Sequence, residues 1–486
     1  MWRARVNMQG NQQHVTDIFF RALSHPGRGR GRCMSPLQLL WSGVRGTQTQ
    51  AWSVPAVERP PDAPLVRWRA EVDRPRVDFI SALPHELAVL VLASLPSAHD
   101  VLVAACVSRE WNLVTRDPTI WRLFFMRSGW YAPKPVLDQA NRVDWRSMFA
   151  ARLDLERRWL DLCTYDTHVR AYTPFSPRTM AIHGHSDRIY CVQFGTVADQ
   201  RFLFSGSRDK SIRVWDAASG GRVALLQSHS GSVLCLEYDA GMLLSGSSDG
   251  TARVWSVGSL GTSAAPVPKP AVLTGHTNHV LDITCDRTWI VTAGQDATLR
   301  VWKRSDLAPA LVYRGHRRAV NACSLHDGRV ASGSGDGRIC IWRVDTGDTL
   351  RTMVGARSGI VAVTLHGDVL LAGSSDGYVR IWSVETGECR CAFPAHTQMI
   401  RALAYNPNRG VLLTGSVDRT ARLWDVRAAC RDAGPCAARL ILELATHPDR
   451  LFGVCMDARA VATAGEQRKI CLTDWSDGLS PADALT

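Results

Sequence analysis

A mainly β fold is expected of this chain: a ring of seven four-stranded blades, preceded by a small all-α module and a helical linker. Two observations lead there. Tryptophans recur at nearly constant spacing, each closing a segment whose polar residues also recur. Ahead of them lies a Leu-, Pro- and Trp-bearing stretch of a different period.

The tryptophans are Trp215, Trp255, Trp302, Trp342, Trp382 and Trp424, separated by 40, 47, 40, 40 and 42 residues. Each lies six residues after an aspartate: Asp209, Asp249, Asp296, Asp336, Asp376 and Asp418. A histidine precedes the aspartate by 20 to 24 residues at His185, His229, His276, His316 and His396. Between them run Ser205-Gly206-Ser207, Ser245-Gly246-Ser247, Ser332-Gly333-Ser334 and Thr414-Gly415-Ser416. A repeat of this length is one supersecondary unit that buries its apolar faces by stacking on its neighbours. Runs such as Ile212-Arg213-Val214-Trp215 alternate as half-buried strands do. Set in a ring, such sheets leave only short, protected edges.

A seventh unit is degenerate. His447 and Thr463 keep their places, but Gln467 stands for Asp and Thr473 for Trp, with Asp474 following. Residues 171–182 are expected to supply the outer strand of the last blade, and 257–270 and 428–438 to be surface loops. Unit five has Ala356 for His and Ala372 for Ser, while Asp376 and Trp382 remain. Joint loss is what a hydrogen-bonded pair permits, because deleting one member strands the other at about 1–3 kcal/mol. The Trp382 indole N–H then needs another partner.

The sets His185, Ser205, Asp209, Trp215; His276, Thr292, Asp296, Trp302; and His316, Ser332, Asp336, Trp342 invite a catalytic-triad reading. Their recurrence in unit after unit argues for a structural network instead. The pattern resembles the WD-repeat family, down to literal Trp-Asp pairs at Trp215-Asp216 and Trp424-Asp425. That resemblance implies a buried chain in each blade, with the Asp accepting backbone amides and the His N–H, and the Trp donating to Ser or Thr.

Residues 77–130 read as helices, with a second motif in 79–122. Pro84 suits a first helical turn, Leu83, Leu87, Leu92 and Leu95 leave an apolar face, Pro96-Ser97 breaks the helix, and Asp100 begins another. A segment of about 45 residues is marginal in isolation and calls for a partner. The ordered set Leu83-Pro84-His85-Glu86-Leu87, Leu92, Val107-Ser108-Arg109-Glu110-Trp111 and Trp121 resembles an F-box. The resemblance implies that Leu83, Pro84, Leu87, Leu92, Leu95, Val107 and Trp111 pack on a Skp adaptor or support that surface, the adaptor bridging to a cullin. Asp144-Trp145-Arg146-Ser147-Met148-Phe149, Leu155, Trp159 and Leu160 fall near helical spacing, where F-box/WD proteins carry a helical linker. The domains are therefore 1–76 (Arg-rich, disordered), 77–125 (F-box), 126–170 (linker), 171–476 (propeller) and 477–486 (tail).

The implied role is a non-catalytic substrate receptor of a Skp–cullin–F-box ubiquitin ligase; the alternative is a WD-repeat scaffold. In such receptors two positions per blade supply rim contacts, one just before the turn aspartate and one five residues past the histidine. Here they gather Arg188, Tyr190, Arg208, Arg401, Arg450 and Phe452 on blades six, seven and one, suiting an acidic or phosphorylated peptide. No phosphate loop, metal-ligand cluster or cofactor motif is present in the sequence.

Charge fits this picture. The chain has 486 residues and a formal net charge of +12, carried by 52 Arg against 5 Lys. Residues 1–57 hold seven Arg and one acid, Asp17. No stretch interleaves basic residues with regular aromatics, so no nucleic acid is expected as a partner. The Arg-rich start also fits a mitochondrial transit peptide, yet Gly27-Arg28-Gly29-Arg30-Gly31-Arg32 reads as a flexible segment, and a cytoplasmic or nuclear location is expected. No run of 18 apolar residues would cross a membrane. The 14 cysteines form no Cys-x-x-Cys and sit mostly in strand-like runs, so free thiols are expected, at Cys389 and Cys391 too.

Overall fold

The computed structural model describes residues 78, 80, 82–128, 143–164, 177–197, 200–258, 260, 269–355, 358–431, 438–444 and 447–476. The Arg-rich segment with its transit-peptide reading, Ala356 of unit five, and the tail lie outside these residues, as does most of the 257–270 insertion.

Seven antiparallel four-stranded sheets form the propeller. Blade one is β2 (Ile189–Val197), β3 (Gln200–Ser207), β4 (Ser211–Asp216) and β5 (Arg222–Gln227), and the next five follow the same order. The seventh combines β26 (Leu451–Met456), β27 (Ala460–Gly465) and β28 (Lys469–Asp474) with β1 (Arg178–His183). The strand β1 pairs from Arg178↔Asp474 to His183↔Lys469. A strand from before the first blade thus completes the last one and closes the ring.

The core lies between blades. Trp215 packs with Ala460, Ala462 and Leu472 of the preceding blade, and Trp342 with Val291, Leu299 and Val301 of its own predecessor. Each tight turn after the second strand carries a left-handed residue next to the aspartate position: Lys210, Gly250, Ala297, Gly337, Gly377, Arg419 and Arg468. At Gly377 a Cβ would lie 2.2 Å from the carbonyl oxygen of His396, so this turn needs glycine for space as well as for φ.

Among the described residues, four short helices stand ahead of the propeller, α1 (His85–Ala93), α2 (Ala98–Ala104), α3 (Arg109–Val114) and α4 (Pro118–Arg127). Pro84 is the residue capping α1 rather than part of its first turn. Ser97 and Asp100 close a capping box on α2, Ser108 caps α3, and Asp117 caps α4 with Pro118 at its start. The helix α5 (Trp145–Thr164) then leads towards the propeller.

Two expectations need correcting. Part of the 428–438 insertion is a helix, α6 (Arg427–Arg431), because Ala429 is buried in the blade-six core beside Trp424 and Val426. Cys391 is not a free thiol: it is disulfide-bonded. Cys389, two residues away, is free and exposed.

Candidate functional site

The recurring polar residues meet inside the blades. In blade one His185 Nδ1 lies 2.8 Å from Asp209 Oδ2 and Nε2 lies 2.8 Å from Ser205 Oγ, while Trp215 Nε1 donates to Ser205 Oγ at 2.8 Å. Asp209 also accepts from the amides of Ser186 and Ser211. In blade three His276 bridges Asp296 at 3.0 Å and Thr292 at 2.8 Å, with Trp302 donating to Thr292 at 3.3 Å. In blade four His316 bridges Asp336 at 3.3 Å and Ser332 at 2.8 Å, with Trp342 donating at 2.7 Å. Because the carboxylate only accepts, the imidazole N–H sits on Nδ1, and in the neutral ring Nε2 then accepts the hydroxyl proton while the hydroxyl oxygen accepts from the indole. Burial holds His276 and His316 below the usual histidine range. Burial would raise Asp209, but hydrogen bonds from His185 and Ser211 outweigh it and hold the carboxyl well below its usual range. A neutral histidine between saturated partners is a brace, with no open position for a substrate.

Blade five is built differently. Arg380, buried, donates to Asp376 Oδ2 at 2.9 Å and to Ser374 Oγ at 2.7 Å. The equivalent arginine of blade six, Arg422, instead donates to Ala395 O at 2.6 Å and to Glu443 at 2.9 Å. Without a hydroxyl at Ala372, Trp382 Nε1 is buried and has no hydrogen-bond partner among the described residues.

The residues expected to meet an adaptor divide into two groups. Leu87 (48% exposed) and Val107 (52%) are at the surface, with Pro84 exposed and Leu83 half-buried. Leu92 (0%), Leu95 (8%) and Trp111 (5%) are interior, in the supporting position of the two that the resemblance allows. Leu92 faces inward with Ala88 and Val89 on α1, and Trp111 Nε1 is held by Asp78 Oδ1 at 2.5 Å. Leu90, Leu102, Val103 and Leu113 join the exposed set instead. Both faces of α1 are apolar, so sequence period alone does not separate them.

The helix α5 grips both modules. Its Phe149 packs on Trp121 at 5.7 Å and on Phe124 at 6.3 Å, and its Trp145 on Phe125 at 5.8 Å. Further along, Leu155 is fully buried with Leu413, Leu423, Val454 and Trp475 of blades six and seven. Arg409 donates two 2.8 Å bonds to Glu156, and Arg158 donates to Trp475 O at 2.9 Å. The side chains of Trp159 and Leu160 lie outside the described residues. Arg409 belongs to the turn joining the first two strands of blade six. The turn aspartates lie at the other end of the second strand, so helix and rim occupy opposite ends of the blades.

At the rim a single device recurs. The position five residues past the histidine is skipped by the strand register in every blade, between Ile189/Cys191, Val233/Cys235, Val280/Asp282, Val320/Ala322, Ile360/Ala362, Ile400/Ala402 and Leu451/Gly453. These bulges turn Tyr190, Leu234, Leu281, Asn321, Val361, Arg401 and Phe452 to the central channel, a cavity of about 420 Å³. Tyr190 and Phe452 meet at 5.4 Å. Burial pushes Asp282 up to about 6, and burial with nearby Asp282 pushes Glu237 up to about 8, so the channel is less charged than its residue types suggest.

The six rim residues do not form one free basic cluster. Arg188 is paired with Glu466 at 2.5 Å, Arg208 lies 3.8 Å from Asp187, and Arg401 lines the channel in the field of Asp282. Arg208 and Arg450 remain exposed. Glu466 occupies the rim position of blade seven that Arg208 occupies in blade one, so adjacent blades neutralise each other.

Comparison with known proteins agrees with this architecture. The F-box-like family model matches residues 80–127. The WD domain, G-beta repeat model matches 176–216, 220–256, 269–303, 308–343, 347–383 and 387–425. Cell division control protein 4 of Saccharomyces cerevisiae is 26% identical over 185 residues, 35% of this chain and 21% of the relative. F-box/WD repeat-containing protein 7 of Drosophila melanogaster is 29% identical over 185 residues, 35% of this chain and 13% of the relative. The probable E3 ubiquitin ligase complex SCF subunit sconB of Arthroderma benhamiae is 27% identical over 184 residues, 31% of this chain and 25% of the relative. The matched segment thus spans a quarter or less of each of these relatives. The chain belongs to the F-box/WD-repeat family.

Proposed function

We propose that the chain is the substrate-recognition subunit of a Skp–cullin–F-box E3 ubiquitin ligase. One observation carries the reading: Leu87, Leu90, Leu102, Val103, Val107 and Leu113 are exposed on the short helices and a connecting turn of a module that α5 fixes to the propeller end opposite its rim. Apolar exposure concentrated on so small a module marks a protein-binding surface. A Skp adaptor bridging to a cullin covers that surface, and the propeller holds a protein target at the far end. The chain makes no bonds itself; its work is positioning, in the cytoplasm or nucleus. Tyr190 and Phe452 anchor an acidic or phosphorylated segment of the target, with Arg208 and Arg450 beside them.

Co-expression of the full chain with a Skp adaptor tests this. A stoichiometric complex forms with the wild type and with Val354→Asp, an exposed propeller residue. It is lost with Leu87→Asp/Val107→Asp. Absence of a complex with the wild type refutes the ligase role and leaves a WD-repeat scaffold.

A further inference from the structure

Blades four and five are joined along their first strands, Val320–His326 and Ile360–His366. Three hydrogen bonds cross this seam. Asn321 Nδ2 donates to Ile360 O at 2.7 Å beside the channel, and the Leu365 amide donates to Ser324 Oγ at 3.0 Å further along. Arg329 donates to Gly367 O at 3.2 Å at the end away from the rim. At that end the last residues of the two strands, His326 and His366, bring their imidazoles to 4.4 Å between ring centroids, tilted by 41°. The same strand position holds Asp239 in blade two and Asn406 in blade six, so the paired rings are particular to this seam.

The charges around the rings are unevenly placed. Asp327, on the turn after His326, sets Oδ2 3.3 Å from His326 Nε2. Arg329 stands over the turn after His366 through its bond to Gly367 O, with Arg343 opposite it in the strand pairing. Asp368, on that same turn, is taken by Arg390 at 2.5 Å and by Ser383 at 2.8 Å. A proton on His326 thus has a carboxylate to face, whereas a proton on His366 faces the other imidazole and Arg329. Partial burial, and then His326, hold His366 below the usual histidine range against the pull of Asp327.

We propose that the imidazole pair is an acid-operated clasp on the seam between blades four and five. Neutral or carrying one proton, the rings stay together. With two protons, like charges at this separation part them. The seam is what gives way, because the bonds of Leu365 and Arg329 cross it next to the rings. Its other end is Asn321 on the channel wall, so acid loosens that wall from the end away from the rim. The clasp belongs to the propeller itself and stands whether or not an adaptor covers the helical module.

Hydrogen–deuterium exchange of the full chain, followed from about pH 7.5 to about pH 5 and corrected for the intrinsic pH dependence of amide exchange, tests the proposal. Below about pH 6.5 the protection of residues 360–366 falls about threefold or more beyond that of 400–406, the corresponding strand of blade six. His366→Gln, with a native circular dichroism spectrum, removes the difference between the two strands. Imidazole NMR gives a second reading: His366 titrates below the usual histidine range in the wild type and moves up in His326→Gln. Equal loss of protection in the two strands, a difference that survives His366→Gln, or a His366 titration that ignores His326→Gln each overturns the clasp.

Discussion

Blades four and five are neighbours with the same strand order, yet they are braced by different chemistry. In blade four, a neutral histidine links Asp336 to Ser332 and, through it, to Trp342. In blade five, an arginine from the third strand reaches Asp376 directly, and the chain stops short of Trp382. What both blades keep is a satisfied turn aspartate. The backbone amides at the turn need that acceptor whatever sits behind it, so the carboxylate stays while its partner changes from imidazole to guanidinium. The tryptophan keeps its place through packing alone, since Trp382 remains buried without its hydrogen bond.

This contrast can be broken most strongly at Arg380. Arg380→Ala removes the buried partner of a half-buried ion pair and lowers unfolding free energy by about 3 kcal/mol, the lower end for a buried pair, read from urea midpoints. His316→Ala strands Asp336 and Ser332 at a smaller cost of about 1–3 kcal/mol. Tryptophan-to-phenylalanine changes isolate the indole hydrogen bond, because both remove similar volume. Trp342→Phe is more destabilising than Trp382→Phe by about 1 kcal/mol, and equal losses would contradict the contrast. The smallest effect is in pH. His316 has its folded pKa below the usual value, so the unfolded chain binds the proton first and stability falls as pH drops below about 6.5. Asp376, also held low, with Arg380 opposing its burial, loses its contribution only below about pH 4. Between pH 7 and 5 the wild type therefore loses more stability than His316→Ala.

The sequence makes the ring legible because every blade solves the same problem with residues at the same offsets, from Asp209 to Trp215 and from Asp418 to Trp424. Even the orphaned Trp382 follows from Ala372. Arg380 as the substitute brace is harder to read, since arginines stand two residues before the tryptophan in other blades too, and in blade six the equivalent Arg422 bonds Ala395 O and Glu443 instead. The combination of missing histidine and retained arginine is the available signal. On the F-box, Leu92 and Trp111 are indistinguishable from surface residues by type, because this small module is apolar inside and out. At the rim, sequence position identifies Tyr190 and Phe452 as channel-facing, but the pairing of Arg188 with Glu466 depends on which blades become neighbours across the closed ring.

The receptor reading depends on one module being free to bind an adaptor while the other is braced and open. Native mass measurement of the full chain mixed with a Skp adaptor and a cullin tests it most directly. A single species containing one copy of each is the predicted result. A free chain beside an assembled adaptor–cullin pair would contradict the account.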